Sequence, residues 1–183
     1  MASKSLRPWE DVAFKKQAEC LTLIPSAWII PPSVLKDISL GPESDTNVIA
    51  LDIPRKSGIL ANTELAIAEG YNARELAAKL GAGELSSEEV TLPFSKRAAI
   101  AQQLFNCLIE TFFHRPLERA RYLDAYLKEH GEPIGPLHGL PISLKDSFNL
   151  AKKNIQFLVY SDLPPGFDHL TTLPIHCSKP GKR

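Results

Sequence analysis

The prolines of this 183-residue chain restrict where long helices can form. Six of the 15 lie before residue 55 and eight lie after residue 115, which leaves Pro93 between these limits. Proline removes a backbone donor and clashes with the preceding helical turn, so the long helices should lie in the middle. The pattern predicts an extended N-terminal arm at residues 1–55, a helical region ending in an apolar strand at residues 56–150, and an atypical, disordered tail at residues 151–183.

Two helix starts are marked by capping signals. Asn72 is followed three residues later by Glu75, and Ser86 is followed in the same way by Glu89. Such a pair satisfies backbone N–H groups that have no partner at the start of a helix. Apolar residues then recur at helical spacing, briefly after Asn72 and for more than five turns, as far as Leu108, after Ser86. We expect a short helix and then a long, core-facing helix that Pro93 should kink.

A third helix is predicted between Pro116 and Gly131. Proline is favoured in the first turn of a helix and glycine just past its end, and leucines and alanines recur between them at helical spacing. The arm should wrap around these helices, because residues 21–30 offer aromatic and aliphatic side chains such as Trp28.

The charge balance argues against nucleic acid and anionic membranes as partners. Lysine and arginine number 21, as do aspartate and glutamate, so the net charge is zero. A basic patch would be expected on a protein that binds phosphates. We therefore expect a neutral small molecule or another protein as the partner.

The cysteines and the N-terminus favour the cytoplasm. Cys20, Cys107 and Cys177 are odd in number and far apart, which suits free thiols in a reducing compartment. The start of the chain has no apolar core of a secretory signal, and the apolar stretch at residues 21–30 is interrupted by Pro25. We expect a cytoplasmic chain that does not span a membrane.

Two short motifs could carry chemistry but lack their usual context. Ser33 and Lys36 match the S-x-x-K of serine acyl-transferases without the motifs that accompany it. His169, His176 and Cys177 have a metal-binding character, but their spacing fits no standard zinc pattern. We therefore expect no metal and no cofactor.

Lys145 ends a short apolar run, Pro141-Ile-Ser-Leu-Lys145. Lysine is a poor strand residue and is almost never fully buried without a partner, so it is either an edge residue or a functional one. Upstream, His138 stands between Leu137 and Gly139 in a turn, where a histidine bonded to the backbone is favoured over a general base.

The segment G-P-L-H-G-L-P-I-S-L-K-D-S-F at residues 135–148 resembles the lysine motif of the amidase signature family, serine hydrolases that cleave carboxamides. Residues 83–107 are similar to the helices that precede this motif in fungal acetamidase-like members, and residues 24–28 and 52–58 resemble their N-terminal arm. The resemblance implies an α/β fold: the N-terminal part of the amidase signature fold, incomplete, with helices packed on the start of a mixed sheet.

The resemblance also implies a Ser-Ser-Lys triad, in which the lysine is Lys145 and the substrate is a small-molecule amide. To accept a proton the lysine must be neutral, which requires a pKa below its ordinary value, obtained by desolvation. The Gly-Ser-rich segment that carries both serines in the family is not seen, and Ser143 lies alongside Lys145 in poor relay geometry.

Two interpretations remain open. The chain is the N-terminal part of an amidase that retains the lysine, lacks both serines and is inactive as given. Alternatively, it is a non-catalytic remnant that acts as an interaction protein and self-associates through exposed apolar surface.

Overall fold

The structure is a computed structural model that describes residues 8–40, 44–143, 149–150, 153–154 and 157–159. Helices dominate these residues, and the strands are short. The helices are α1 (Pro8–Thr22), α2 (Pro32–Leu35), α3 (Ile53–Lys56), α4 (Asn62–Gly70), α5 (Ala73–Gly81), α6 (Ser87–Phe105) and α7 (His114–His130). The strands are β1 (Pro141–Ser143), β2 (Asn149–Leu150), β3 (Lys153–Asn154) and β4 (Phe157–Val159).

The N-terminal arm is more helical than the sequence predicted. Helix α1 runs for 15 residues, with Pro8 at its start and Glu10 and Asp11 in its first turn. Proline at the first helical position and acidic residues beside the N-terminal dipole both favour a helix start. The expectation of an extended arm is therefore wrong for this segment, whose apolar residues do not follow one helix face. The division of the chain into three segments stays a prediction.

The arm is fixed to α6 by a bridging amide and to the start of α7 by an aromatic contact. Trp28 is buried and meets Phe113 edge to face, with ring centroids 5.5 Å apart. The Gln103 side chain of α6 donates to the Trp28 carbonyl at 2.9 Å and accepts the Ile30 N–H at 2.9 Å. These contacts confirm that this part of the arm packs against the helices.

Both predicted capping signals are present as reciprocal hydrogen bonds. The Asn72 side chain accepts the Glu75 N–H at 3.0 Å, and the Glu75 carboxylate accepts the Asn72 N–H at 2.9 Å. Ser86 and Glu89 make the same pair of bonds at 3.0 and 2.9 Å. Helix α6 ends at Phe105, earlier than its apolar stripe suggested, because Asn106 adopts a left-handed conformation (φ 48°).

Helix α7 confirms the third predicted helix. It begins at His114, so that Pro116 lies within its first turn, and it stops at Gly131 in a left-handed conformation (φ 73°). Glycine adopts this conformation with little steric penalty, which explains the stop.

Helix α6 is the centre of the packing. Three apolar clusters surround it: Ile30, Ile53, Leu60, Leu65 and Ile100; Ile24, Trp28, Ala99 and Phe113; and Leu76, Leu80, Val90 and Leu140. Each cluster includes one residue of α6, and Pro93 inside this helix is also buried. The third cluster matters most for the site, because Leu140 directly precedes β1.

The described strands form two antiparallel pairs. In the first, β1 pairs with β4 so that Pro141 lies opposite Val159, and in the second β2 pairs with β3. Helices packed on the start of a sheet are what the sequence predicted. The strand-like run expected at residues 155–160 contains β4. Most of residues 151–183 lie outside the described residues, so the expected disorder of the tail stays a prediction.

Among the described residues, no single helix has the length and apolar character of a membrane span. The helical segments Pro8–Thr22 and Ser26–Leu35 meet that criterion only when taken together, and they are bent by 100° at the break between them.

Candidate active site

Lys145 lies outside the described residues, but the residues that lead to it in the chain are described. The structure describes the chain continuously from residue 44 to Ser143, the last residue of β1. Three features lie around the start of β1. They are the turn at residues 134–140, the N-terminus of α6, and Asp124 of α7, which binds backbone N–H groups of that N-terminus.

His138 closes the turn before β1. Its ring Nδ1 accepts the Ile134 N–H at 3.2 Å, and its backbone N–H donates to the Gly135 carbonyl at 3.1 Å. The side chain is only 1% exposed. Since Nδ1 acts as an acceptor, the ring is neutral and carries its proton on Nε2. This confirms the prediction of a structural histidine bonded to the backbone.

Gly139 lies against the first turn of α6. Its φ is +72°, and a Cβ at this position would collide with the Oγ of Ser87 and lie 2.9 Å from its Cβ. Both the left-handed backbone and the close approach require glycine. The turn therefore touches α6 through backbone atoms, and Leu140 follows into the third apolar cluster.

Asp124 of α7 closes the N-terminus of α6 from the other side. Its carboxylate accepts the Ser87 N–H at 2.6 Å through Oδ1 and the Glu88 N–H at 3.1 Å through Oδ2. The Ser86 hydroxyl accepts the next N–H, that of Glu89. The first three N–H groups of this helix, which its own backbone leaves without partners, are thus all satisfied.

A line of buried polar atoms runs along α6 from this point. Ser87, Thr91 and Ser95 recur at four-residue spacing, so their hydroxyls lie along one side of the helix. These hydroxyls and Nε2 of His138 are buried and have no hydrogen-bond partner among the described residues. A buried polar group without a partner costs about 1–3 kcal/mol, so such a group in a core marks a functional or solvated position.

Burial of His138 favours the neutral ring, although the Asp124 carboxylate opposes it. Burial lowers the pKa of His138 below its usual value, and the Arg119 guanidinium lowers this pKa further, whereas the Asp124 carboxylate raises it. Burial is the largest of these effects. The neutral form agrees with the acceptor role of Nδ1.

Comparison with known proteins identifies the chain. The sequence model of the Amidase family matches residues 89–157, from the first turn of α6 to the start of β4. An acetamidase of Emericella nidulans is 48% identical over 142 residues, which are 78% of this chain and 24% of that protein. An amidase of Gibberella moniliformis is 43% identical over 142 residues, 78% of this chain and 26% of that protein. The chain belongs to the amidase family.

A solved amidase structure shows the same fold. Fatty acid amide hydrolase superimposes on 76% of this chain with a TM-score of 0.61 and 36% sequence identity, and the match covers 24% of that protein. The fold is therefore that of the amidase signature family. The chain spans about a quarter of the length of the relatives described above.

Two further sets of residues were candidates in the sequence. Ser33 and Lys36 are both exposed at the short helix α2. His169, His176 and Cys177 lie outside the described residues, and the described part of the chain holds no group of three side chains able to bind a metal ion.

Sequence reasoning missed two residues of the site. Asp124 caps a helix 37 residues away in sequence, and no local pattern marks such a contact. The close approach of Gly139 had a weak signal, since Gly139 stands two residues before β1 and glycine permits a close backbone contact.

A concave surface lies at the C-terminal end of α6, away from the turn before β1. This groove, of about 530 Å³, has mostly apolar walls built by residues 48–54 and by the second half of α6, with Asp52 and Arg97 among its lining. We call it the α6 groove. Its volume falls in the range of small-molecule sites, but none of the described residues of the lysine motif lines it.

Proposed function

We propose that this chain supplies the catalytic lysine of an amidase that hydrolyses small carboxamides. The observation that carries the proposal is the segment at residues 135–148, which matches the family's lysine motif and lies inside the region matched by the Amidase model. The burial of residues 138–140 and the Gly139 contact with α6 support it, because they hold the start of this segment in a defined place.

The proposed chemistry is acyl transfer through a serine. Neutral Lys145 accepts a proton from a bridging serine, which in turn accepts the proton of the nucleophilic serine as that oxygen attacks the amide carbonyl. The C–N bond breaks, the amine leaves with a proton, and an acyl-enzyme ester remains. Water then cleaves the ester and releases the carboxylic acid, which regenerates the serine.

Lysine suits this role only when its ammonium form is disfavoured. The side chain is strongly hydrated when charged, and removal from water shifts it toward the neutral base. Leu140 is buried at the entrance to β1. An apolar approach of this kind supports the desolvation that the proposal needs.

We further propose that the 183-residue chain on its own does not hydrolyse amides, since none of its serines matches the two that complete the family's triad. A fluorophosphonate probe, which labels activated serines, should leave the chain unmodified. Stoichiometric labelling of any serine would contradict this.

A second candidate, a non-catalytic protein that associates with another chain, is favoured by one observation. Ile49 is 90% exposed and Phe105 is 57% exposed at the α6 groove. Exposed apolar surface of this kind promotes association. Under this alternative, the lysine segment would have no catalytic use.

A chimera tests the proposal directly. Residues 1–150 are joined to the part of the Emericella nidulans acetamidase that follows its matching segment, and acetamide hydrolysis is measured. We expect activity that falls about 10²- to 10⁴-fold in Lys145→Ala, the usual loss on removing a catalytic base. Lys128→Ala, an exposed change at the end of α7, is the matched control and should be neutral. A folded Lys145→Ala chimera with undiminished activity would refute the proposed role.

A further inference from the structure

The turn before β1 is held at both of its ends. At its start, Nδ1 of His138 accepts the Ile134 N–H at 3.2 Å. At its end, Gly139 lies directly against Ser87, and Leu140 enters the cluster formed with Leu80 and Val90. His138 is therefore the one side chain of this turn that links its beginning to the point where the chain meets α6.

The hydrogen bond of His138 depends on a particular form of the ring. An acceptor at Nδ1 exists only in the neutral tautomer with the proton on Nε2. A protonated ring would present an N–H at Nδ1 to the N–H of Ile134, and two donors cannot bond. The near-complete burial of the ring leaves little room for another arrangement.

We propose that His138 is a positioning residue for the lysine segment: by accepting the Ile134 N–H it fixes the turn against Ser87 and so sets where the strand leading to Lys145 begins. This inference rests on the proposed function of Lys145. It assigns His138 no contact with substrate. Small displacements of a catalytic group can cost up to about 10²-fold in rate, so a loosened turn should reduce turnover without reducing substrate affinity.

A pair of isosteric variants separates this role from simple burial. In His138→Asn the carboxamide oxygen occupies about the place of Nδ1, whereas in His138→Gln it lies one bond farther out, near the place of Nε2. In the active chimera we expect the asparagine variant to stay within about threefold of the parent kcat. The glutamine variant should lose about 10- to 100-fold in kcat with KM within about twofold.

His130 offers a matched control for these substitutions. Its Nδ1 likewise contacts a backbone group four residues earlier, in this case the Tyr126 carbonyl at 3.0 Å, but at the exposed end of α7. His130→Gln should leave kcat and KM unchanged. Equal losses in the asparagine and glutamine variants of His138, or none in either, would overturn the inference.

Two measurements on the 183-residue chain keep the inference independent of activity. The ¹⁵N chemical shifts of His138 should show the neutral tautomer protonated on Nε2, and any other tautomer would overturn the proposal. The acylation rate of Lys145 by acetic anhydride should change in His138→Gln and not in His138→Asn, relative to Lys128. An inactive chimera with this labelling pattern would refute the proposed function and leave the positioning role standing, whereas unchanged labelling in both variants would refute the positioning role.

Discussion

The two ends of α6 are built in opposite ways. At the N-terminal end, Asp124 and Ser86 satisfy the first N–H groups, and the backbone of Gly139 lies directly on Ser87. At the C-terminal end, Phe105 is 57% exposed beside the α6 groove. The closed end is the one that leads to the lysine segment. The residues that precede the lysine segment are thus closely packed, whereas the opposite end of α6 leaves apolar surface exposed.

At the C-terminal end of α6, the side chain of Gln102 has hydrogen-bond partners, whereas apolar side chains remain exposed. Gln102 is buried, donates to the Asn106 side chain at 2.8 Å and accepts the Leu108 N–H at 2.7 Å. These bonds accompany the end of the helix at Phe105. The apolar wall of the α6 groove, in contrast, is exposed to solvent. Substitutions at the two ends should therefore have different consequences.

The largest effect is expected at Gly139. Gly139→Ala adds left-handed strain of about 1–2 kcal/mol to a steric conflict with Ser87 of about 1–3 kcal/mol, so the free energy of unfolding should fall by about 3 kcal/mol. Gly131→Ala has the same positive φ but open space around it and should cost about 1 kcal/mol. Urea denaturation of both variants measures the difference, and equal losses would contradict the close contact.

The double variant sharpens this test. Ser87→Gly removes the two atoms that a Cβ at position 139 would approach most closely, so Gly139→Ala should cost less in the Ser87→Gly background than in the parent. Additive losses would show that the two residues do not touch.

The next effect is expected at Asp124. Asp124→Ala leaves the N–H groups of Ser87 and Glu88 without their partner and should lower the free energy of unfolding by about 2 kcal/mol. Asn72→Ala, which removes the cap of α5, is the matched control at about 1 kcal/mol. A smaller loss for Asp124→Ala than for Asn72→Ala would argue against the role of Asp124 in capping the N-terminal end of α6.

The pH dependence of stability gives a third test. The pKa of His138 is lowered in the fold by burial and Arg119, and Asp124 opposes the shift only in part. The unfolded chain therefore binds the proton more readily, and the unfolding free energy should decrease as the pH falls below the ordinary histidine pKa of about 6.5. The difference between the parent and His138→Asn should carry this dependence, and a flat difference from pH 7 to 5 would contradict it.

The smallest effect on folding is expected at the open end. Phe105→Gln removes an exposed ring beside the α6 groove and should change the unfolding free energy by less than about 0.5 kcal/mol. It should also reduce any self-association seen by analytical ultracentrifugation. A loss of several kcal/mol would show that this end is packed as tightly as the other.

Local signals in the sequence predicted the parts of the fold that depend on neighbouring residues. The caps at Asn72 and Ser86 and the stop at Gly131 are formed within a few residues, so they could be predicted. Helix α4 was missed because it begins after Ala61, whose N–H is bound by Glu64 without a polar cap residue. The link from Asp124 to α6 needs the packed structure and has no signal in the sequence.

Substituting arginine for Lys145 in the acetamidase chimera tests the central claim most directly. Arginine has a side chain of similar reach and basic character but does not give up its proton in proteins. If Lys145 acts as a neutral base, Lys145→Arg should lose acetamide turnover to about the same extent as Lys145→Ala, by about 10²-fold or more. Turnover close to that of the parent in a folded Lys145→Arg chimera would contradict the account.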